Sequence, residues 1–395
     1  MTPLRVLHVI PSVAPRYGGP SEVIGPMCGA LRDAGVDARI ATTDADGDTR
    51  LSVPLGAWTE WRGVPTLFFR RDASEAFKYS RGLGAWLRAH VAEFDLVHIH
   101  AVLSHAPLAA AAACRRYGVP YIVRPLGTIA SWSLGRKAWR KKLLLSLAAR
   151  RMLRGAAALH FTTDEEQDDA VRTFGLTQGT VIPLGLDIAR FAPTDEEQAH
   201  RDVGRSIVFL SRLHPKKNLE ALLDAFADLQ SGAASGWQLA IAGGGDSAYR
   251  EQLESRAARN GLHEQVSFVG WVEGEQKRAL LANASLFVLP SHHENFGVSV
   301  LEAMAAHVPV MISRGVQLSG DVERAHAGWI CGTSRAEVGA SLAAALGDPS
   351  ERRARAEAAG HLAARFAWPA VTSDLVACYT RIATTTVHAA SNRTT

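Results

Sequence analysis

The chain carries only four cysteines in 395 residues, and no two of them form a C-x-x-C pair. Cys28, Cys114, Cys331 and Cys378 lie far apart, which argues against a zinc ribbon and a disulfide framework and fits thiols kept reduced in a core. No run approaches the ~18 apolar residues of a membrane-spanning helix. The apolar start, residues 4–13, has no basic segment before it and no cleavage site after it, so it does not read as a secretory leader. Cytoplasmic residence is the expectation. Low-complexity sequence is also missing, apart from a polar tail from about Thr384 that is expected to be disordered. What remains is a globular composition, 47% hydrophobic and 21% charged, in a chain too long for one core and suited to two domains.

Charge is divided unevenly along the chain. The net value is +4, but residues 1–187 hold 23 Lys and Arg against 17 Asp and Glu, and the remainder holds 20 against 22. The basic half is the one expected to meet something acidic: a membrane surface, a phosphorylated acceptor or nucleic acid. Nucleic acid is set aside, because no aromatic stacking platform or nucleic-acid motif accompanies the charge. Residues 136–154 concentrate it in Arg136, Lys137, Arg140, Lys141, Lys142, Arg150, Arg151 and Arg154, with Trp139, Leu143, Leu144 and Leu147 between them. This is a basic amphipathic helix. It suits docking on an anionic bilayer, each near-surface cation contributing ~1 kcal/mol; the alternative is a packed helix with a basic outer face.

The most informative stretch is 291–302, S-H-H-E-N-F-G-V-S-V-L-E. An apolar run at 285–289 reads as a buried parallel strand, Pro290 breaks it, and a helix starts at about Val298. Asn295, Phe296, Gly297 and Val298 therefore bring backbone N–H groups and the positive end of a helix dipole to one point, a place for a phosphate or sugar oxygen. Glu294 and Glu302 flank it. Ionised carboxylates only accept hydrogen bonds, so this pair suits hydroxyl groups on either side of a phosphate. A second strand end, 211–218, reads S-R-L-H-P-K-K-N and offers the planar fork of Arg212 and the point charge of Lys217 to a diphosphate. Gly243, Gly244 and Gly245 follow another strand and permit close backbone passage. Gly18 and Gly19 open a helix in the first half, with Ser21 as its expected N-cap.

Two patterns invite a metal. Asp44-Ala45-Asp46-Gly47-Asp48 resembles the start of a calcium loop, but the twelfth position is Leu55, so no closing Glu exists and a solvated turn is expected. His98 and His100 share one face of a buried strand. No third ligand follows at a convincing spacing, so no metal is expected; His98 reads as a core histidine. His100 and His105 are candidates for contacting acceptor or donor hydroxyls. Arg124, at the end of the next strand, is a candidate for an acceptor phosphate.

The E-x7-E spacing of Glu294 and Glu302, set in strand, P-S-x-x-E-N-F-G and helix L-E-A-M-A, together with S-R-L-H-P-K-K-N, resembles the retaining glycosyltransferases of family 4. The resemblance implies an α/β GT-B fold of two Rossmann-like domains facing a central cleft. It implies an acceptor-side domain over 1–187, a nucleotide-sugar-binding domain over 188–366, and a crossover helix with a disordered tail over 367–395. Residues 183–204, beginning P-L-G-L-D, are expected to be the hinge. By the same resemblance Glu294 lies by the donor sugar, Glu302 on the ribose, the Tyr17-Gly18-Gly19 loop at the donor phosphate, and the backbone near Val272 at the base. The implied activity is metal-independent transfer of a hexose from a nucleotide-diphosphate sugar to a hydroxyl with retained configuration. Glu294, Arg212 and Lys217 would serve as the catalytic set, with same-face attack guided by the leaving phosphate. The acceptor would be a saccharide or a lipid-linked species in cell-surface polysaccharide or glycoconjugate synthesis, the protein sitting peripherally on the inner face of the membrane. One departure stands out: Leu126 occupies the place where relatives commonly carry His. Two rivals are an epimerase or hydrolase acting on a nucleotide sugar with the same fold, and a basic nucleic-acid-binding protein.

Overall fold

The computed structural model of the chain describes residues 3–126, 139–294 and 296–391. They form two compact units, one of residues 1–185 with 368–395, the other of residues 186–367.

The first unit is built on strands β1 (Arg5–Ser12), β2 (Asp37–Thr43), β5 (Trp58–Trp61), β6 (Val64–Phe69), β7 (Leu96–His100), β8 (Tyr121–Arg124), β9 (Ala158–Phe161) and β10 (Gly179–Val181), with β3 (Ala45–Asp46) and β4 (Thr49–Arg50) forming a separate hairpin. The large sheet runs β10-β9-β8-β7-β1-β2-β6-β5, parallel except for the antiparallel edge pair β5 and β6. Strands β7, β8 and β9 are buried along their whole length. That is why they read as unbroken rather than alternating sequence: a parallel sheet covered on both faces has no solvent side.

Three expectations are corrected here. Ser21 is not the N-cap of the helix Gly19–Asp33: Gly18 holds that place at φ 76°, and the Ser21 hydroxyl donates to the Ser12 carbonyl at 3.1 Å. The Asp44–Asp48 stretch is not a solvated turn. It enters a two-residue hairpin, with Gly47 at φ 59°, and Asp44 is buried because its carboxylate accepts the Arg71 backbone N–H at 2.7 Å. Residues 183–204 contain the point where the chain passes from the first unit to the second, and the helix Asp195–Val203 is held to the second unit by Glu197, whose carboxylate accepts from Arg278 at 2.9 Å. The polar tail is helical as far as Ser391, continuing the helix Trp368–Ser391. Short Thr hydroxyls there, such as Thr385, bond back to the carbonyl four residues earlier instead of breaking the helix.

The second unit is a six-stranded, wholly parallel sheet of β11 (Ser206–Leu210), β12 (Gln238–Ala242), β13 (Val266–Gly270), β14 (Leu286–Leu289), β15 (Val310–Ser313) and β16 (Gly328–Cys331). Its order is β13-β12-β11-β14-β15-β16. The winding reverses between β11 and β14, which makes the carboxyl ends of these two neighbouring strands the topological switch point of the sheet. That is where open α/β sheets hold ligands.

Candidate functional site

Both anion-seeking motifs leave this switch point. β11 feeds the loop with Arg212, the short helical turn Pro215–Lys217 and the helix Leu219–Asp228; β14 feeds the loop with Glu294 and the helix Val298–Ala305. The two loops are knitted together. The His292 backbone N–H donates to the Lys216 carbonyl at 2.8 Å, and the Lys217 ammonium pairs with the Glu294 carboxylate. A third loop fixes Glu294 from behind: its N–H donates to Gly315 O at 2.8 Å, and its carbonyl accepts from Gln317 N at 3.1 Å. Gly315 is required there, because a Cβ would collide with the His292 carbonyl oxygen. The segment 314–321, for which the sequence suggested no role, is thus the brace of Glu294.

Glu302 is buried, and its carboxylate pairs with Lys277 from the helix Gly274–Ala282. Lys277 was invisible in the sequence, since no spacing links the two helices. Arg212 is exposed and makes no ion pair among the described residues. The site therefore holds two neutralised acids, two cations bound to them and one uncommitted guanidinium. At the helix start, Gly297 caps at φ 79°, and the first helical N–H groups lack intrahelical acceptors. Phe296 contributes backbone only: its ring is in the core, 5.8 Å from Phe366 in an edge-on contact. Asn295 lies outside the described residues.

The glycine run after β12 is a packing device with one open member. Gly243, at φ 145°, and Gly245 press on the Arg212 loop so closely that a Cβ on either would strike the carbonyl oxygen of Ser211 or of Leu213. A Cβ on Gly244 would meet only the Trp271 ring at 3.6 Å. Val272 is buried while its neighbour Trp271 is exposed. We expect Gly243→Ala to destabilise the second unit by ~2–4 kcal/mol through strain and collision, and Gly244→Ala to be nearly neutral. Urea unfolding of the two variants checks this; equal midpoints would remove the packing role from Gly243.

In the first unit the Gly18–Gly19 turn is anchored rather than loose. The Tyr17 hydroxyl bonds to the Glu75 carboxylate and accepts the Gly47 N–H at 2.7 Å, and its acidity is pushed to about 12 by burial and by Glu75. His105 starts the helix His105–Tyr117; its Nδ1 accepts the Ser80 N–H at 3.3 Å, and Tyr79 packs 4.5 Å from its ring. Burial holds it below the ordinary histidine range.

His100 and Arg124 are brought together, as paired residues of β7 and β8. Both sit on a sheet face that also carries His8, His98 and His160. The Tyr379 hydroxyl, from the last helix, bonds to His98 Nδ1 at 2.7 Å; His98 Nε2 lies 3.2 Å from His160 Nδ1; His160 Nε2 donates to the Ile182 carbonyl at 2.7 Å. The carbonyl acceptor fixes every proton in this chain: each imidazole is neutral and each donates onward. His8 Nδ1 and His100 Nε2 are 3.2 Å apart. Burial pushes His8 and His160 down to about 3 and holds His98 and His100 well below the ordinary range, with the Arg124 charge adding to each.

His8 is the third histidine that sequence spacing failed to supply, and with His98 and His100 it brings three ring nitrogens within 4.8 Å of one another. The donor set still does not suit a cation. Both His98 nitrogens are engaged by Tyr379 and His160, no carboxylate takes part, and a guanidinium adjoins the cluster. Residues 136–138 of the basic helix lie outside the described residues. Over Trp139–Arg154 the path is helical; Ala149, Met152 and Leu153 pack into the core of the first unit, while Leu147, Arg150, Arg151 and Arg154 are exposed, as in a packed helix with a basic outer face. No helix among the described residues is long and apolar enough to cross a membrane.

A two-unit Rossmann architecture with a cationic, helix-capped switch point in the second unit defines the GT-B class of glycosyltransferase folds. Two family models match the chain, the glycosyl transferase 4-like domain over residues 18–185 and glycosyl transferases group 1 over residues 192–361. Residues 192–361 thus form a glycosyl transferases group 1 domain, residues 18–185 a glycosyl transferase 4-like domain, and the chain that joins them is a glycosyltransferase. It is 28% identical to a D-inositol 3-phosphate glycosyltransferase of Catenulispora acidiphila over 73% of this chain and 71% of that one. It is 30% identical to the phosphatidyl-myo-inositol mannosyltransferase of Mycobacterium leprae over 51% of this chain and 54% of that one. Among solved structures, Anabaena HepE in complex with UDP and glucose superposes with a TM-score of 0.76 at 18% identity, over 96% of this chain and 100% of that one. At that identity the likeness establishes the fold.

Proposed function

We propose that the protein transfers a hexose from a nucleotide-diphosphate sugar to a hydroxyl of a saccharide or lipid-linked acceptor, with retained configuration and without a metal. The observation that carries this is the convergence of Arg212, Lys217, Glu294 and the capped helix start on the switch point of the second unit. A departing diphosphate needs positive charge fixed in place before the bond breaks, and Arg212, Lys217 and the helix N–H groups provide it. Glu294, braced through its own backbone and ion-paired to Lys217, accepts hydrogen bonds from the sugar; Glu302 accepts from the ribose. Same-face attack guided by the leaving diphosphate is what the resemblance to the retaining glycosyltransferases of family 4 implies. The HepE complex with UDP and glucose and the inositol-directed relatives support a nucleotide-sugar donor and a hydroxylated acceptor. A role in cell-surface glycoconjugate synthesis and peripheral contact with the inner membrane face through residues 136–154 belong to the same reading.

Thermal shift against UDP, GDP and ADP, and then their hexose conjugates, tests it. One nucleoside diphosphate at 100 times its Kd should stabilise the protein by about 2.7 kcal/mol, and a chelator should leave both the shift and turnover intact. Absence of a shift with all three diphosphates would overturn the donor assignment; loss of turnover on chelation, restored by magnesium, would overturn the metal-free mechanism.

A further inference from the structure

Arg124 is a buried cation that no carboxylate among the described residues contacts directly, the buried Glu166 lying beyond ion-pair distance. It is 3% exposed, and its Nε has no hydrogen-bond partner. It makes no ion pair among the described residues. Glu166 attracts it from beyond ion-pair distance, but the Glu166 Oε2 is held by the Thr162 N–H at 2.9 Å and the Thr162 hydroxyl at 3.0 Å. The rings around Arg124, of His8, His98, His100 and His160, are neutral and add no negative charge. Desolvation accordingly lowers Arg124 to about 10. The surrounding sequence offers no relief. From Leu96 to Thr163, 68 residues, there is no Asp or Glu at all, while the same stretch carries 11 Lys and Arg. No residue of the loop that follows Arg124 can therefore supply a carboxylate.

A buried guanidinium held apart from its nearest carboxylate, with its Nε unpartnered, is costly. Arg124 stands at the carboxyl end of β8, the edge at which parallel sheets meet their ligands. Its planar fork is matched to two oxygens of one phosphoryl group.

We infer that Arg124 is the receptor for a phosphoryl group on the acceptor, so that the acceptor is a phosphate ester, either a soluble phosphorylated polyol or sugar or the headgroup of a phospholipid. The inference rests on the reading of the first unit as the acceptor side of a glycosyltransferase. The exposed Arg150, Arg151 and Arg154, on the same acid-free stretch, add an outer field that draws an anion in.

The test uses the full chain without donor. Binding of glucose 6-phosphate is compared with glucose, and sedimentation with phosphatidylinositol vesicles is compared with phosphatidylcholine vesicles. Arg124→Met and Arg124→Lys are run beside the wild type, with UDP binding as the internal control. At least tenfold preference for one phosphorylated probe is expected. Arg124→Met should abolish the preference and leave UDP binding unchanged. Preference for glucose 6-phosphate assigns a soluble ester; preference for phosphatidylinositol alone assigns a lipid headgroup. Should Arg124→Met fail to fold, Arg124→Lys decides, since it keeps the charge and loses the fork: a tenfold loss of the phosphorylated probe with intact UDP binding supports the inference, and no loss overturns it. A wild type that prefers neither phosphorylated probe, or an Arg124→Met that retains the preference, also overturns it. If UDP, GDP and ADP all fail to bind while the phosphorylated probe is still preferred, the donor reading fails and the anion receptor stands.

Discussion

Arg212→Ala should weaken binding of the nucleoside diphosphate by about 10- to 100-fold while leaving the nucleoside nearly untouched. A hydrogen bond to a charged group contributes ~1.5–3 kcal/mol, and the loss is confined to the diphosphate. Stability should barely change, because Arg212 is exposed and makes no ion pair among the described residues. Lys217→Met should give a similar loss of affinity with a different accompaniment. Lys217 is buried against Glu294, so its removal leaves a half-buried carboxylate without its cation and lowers the unfolding midpoint as well. Isothermal titration of the diphosphate and of the matching nucleoside against both variants separates charge from base recognition. An equal loss for the nucleoside would take the diphosphate away from these two residues.

The second large effect is a collapse of stability in mild acid. His8 and His160, held near 3 by burial, stay neutral in the fold but take up a proton in the unfolded chain below its ordinary value of 6.5. The unfolded state then binds more protons, so stability is fully present above pH 6.5 and falls as pH drops toward 3. Each such group costs about 1.4 kcal/mol per pH unit, so these two alone remove about 3 kcal/mol at pH 5.5. His98 and His100 act in the same direction. Urea titrations at pH 7.5, 6.5 and 5.5 should show a slope that decreases by about one proton in His160→Gln. A midpoint that stays flat down to pH 5.5 would show that these imidazoles are not held neutral.

The donor side was legible because its chemistry is local in sequence. Arg212 and Lys217 are five residues apart at one strand end, and Glu294 and Glu302 flank one helix start, so strand, loop and helix rules sufficed to place them. Their partners were not legible. Lys277 reaches Glu302 from another helix, Gly315 braces Glu294 from another loop, and His8 meets His100 across a distance of 92 residues. The misreading of Asp44 has the same origin. Its acidic neighbours suggest solvent, but the group that buries it is a backbone N–H at position 71, which has no signature of its own. The polar tail was misjudged because Thr and Ala between 384 and 391 have little apolar pattern, while the helix they extend is nucleated earlier, at Trp368.

One feature of the fold governs how the molecule is made. The first unit is completed by residues 368–395, and the bond from Tyr379 to His98 joins positions 281 residues apart. The second unit is uninterrupted in sequence and is synthesised in full before that helix exists. During synthesis the second half can therefore already be folded while the first half still bares an apolar, histidine-lined sheet face. During that interval the nascent first unit is exposed to aggregation and to chaperones, and the closing contact forms only once Tyr379 has been made. A chain cut before Trp368 would spare every residue of the switch-point site in the second unit and still leave the first unit without its closing helix, so such products should accumulate as insoluble or degraded protein rather than as a weak enzyme.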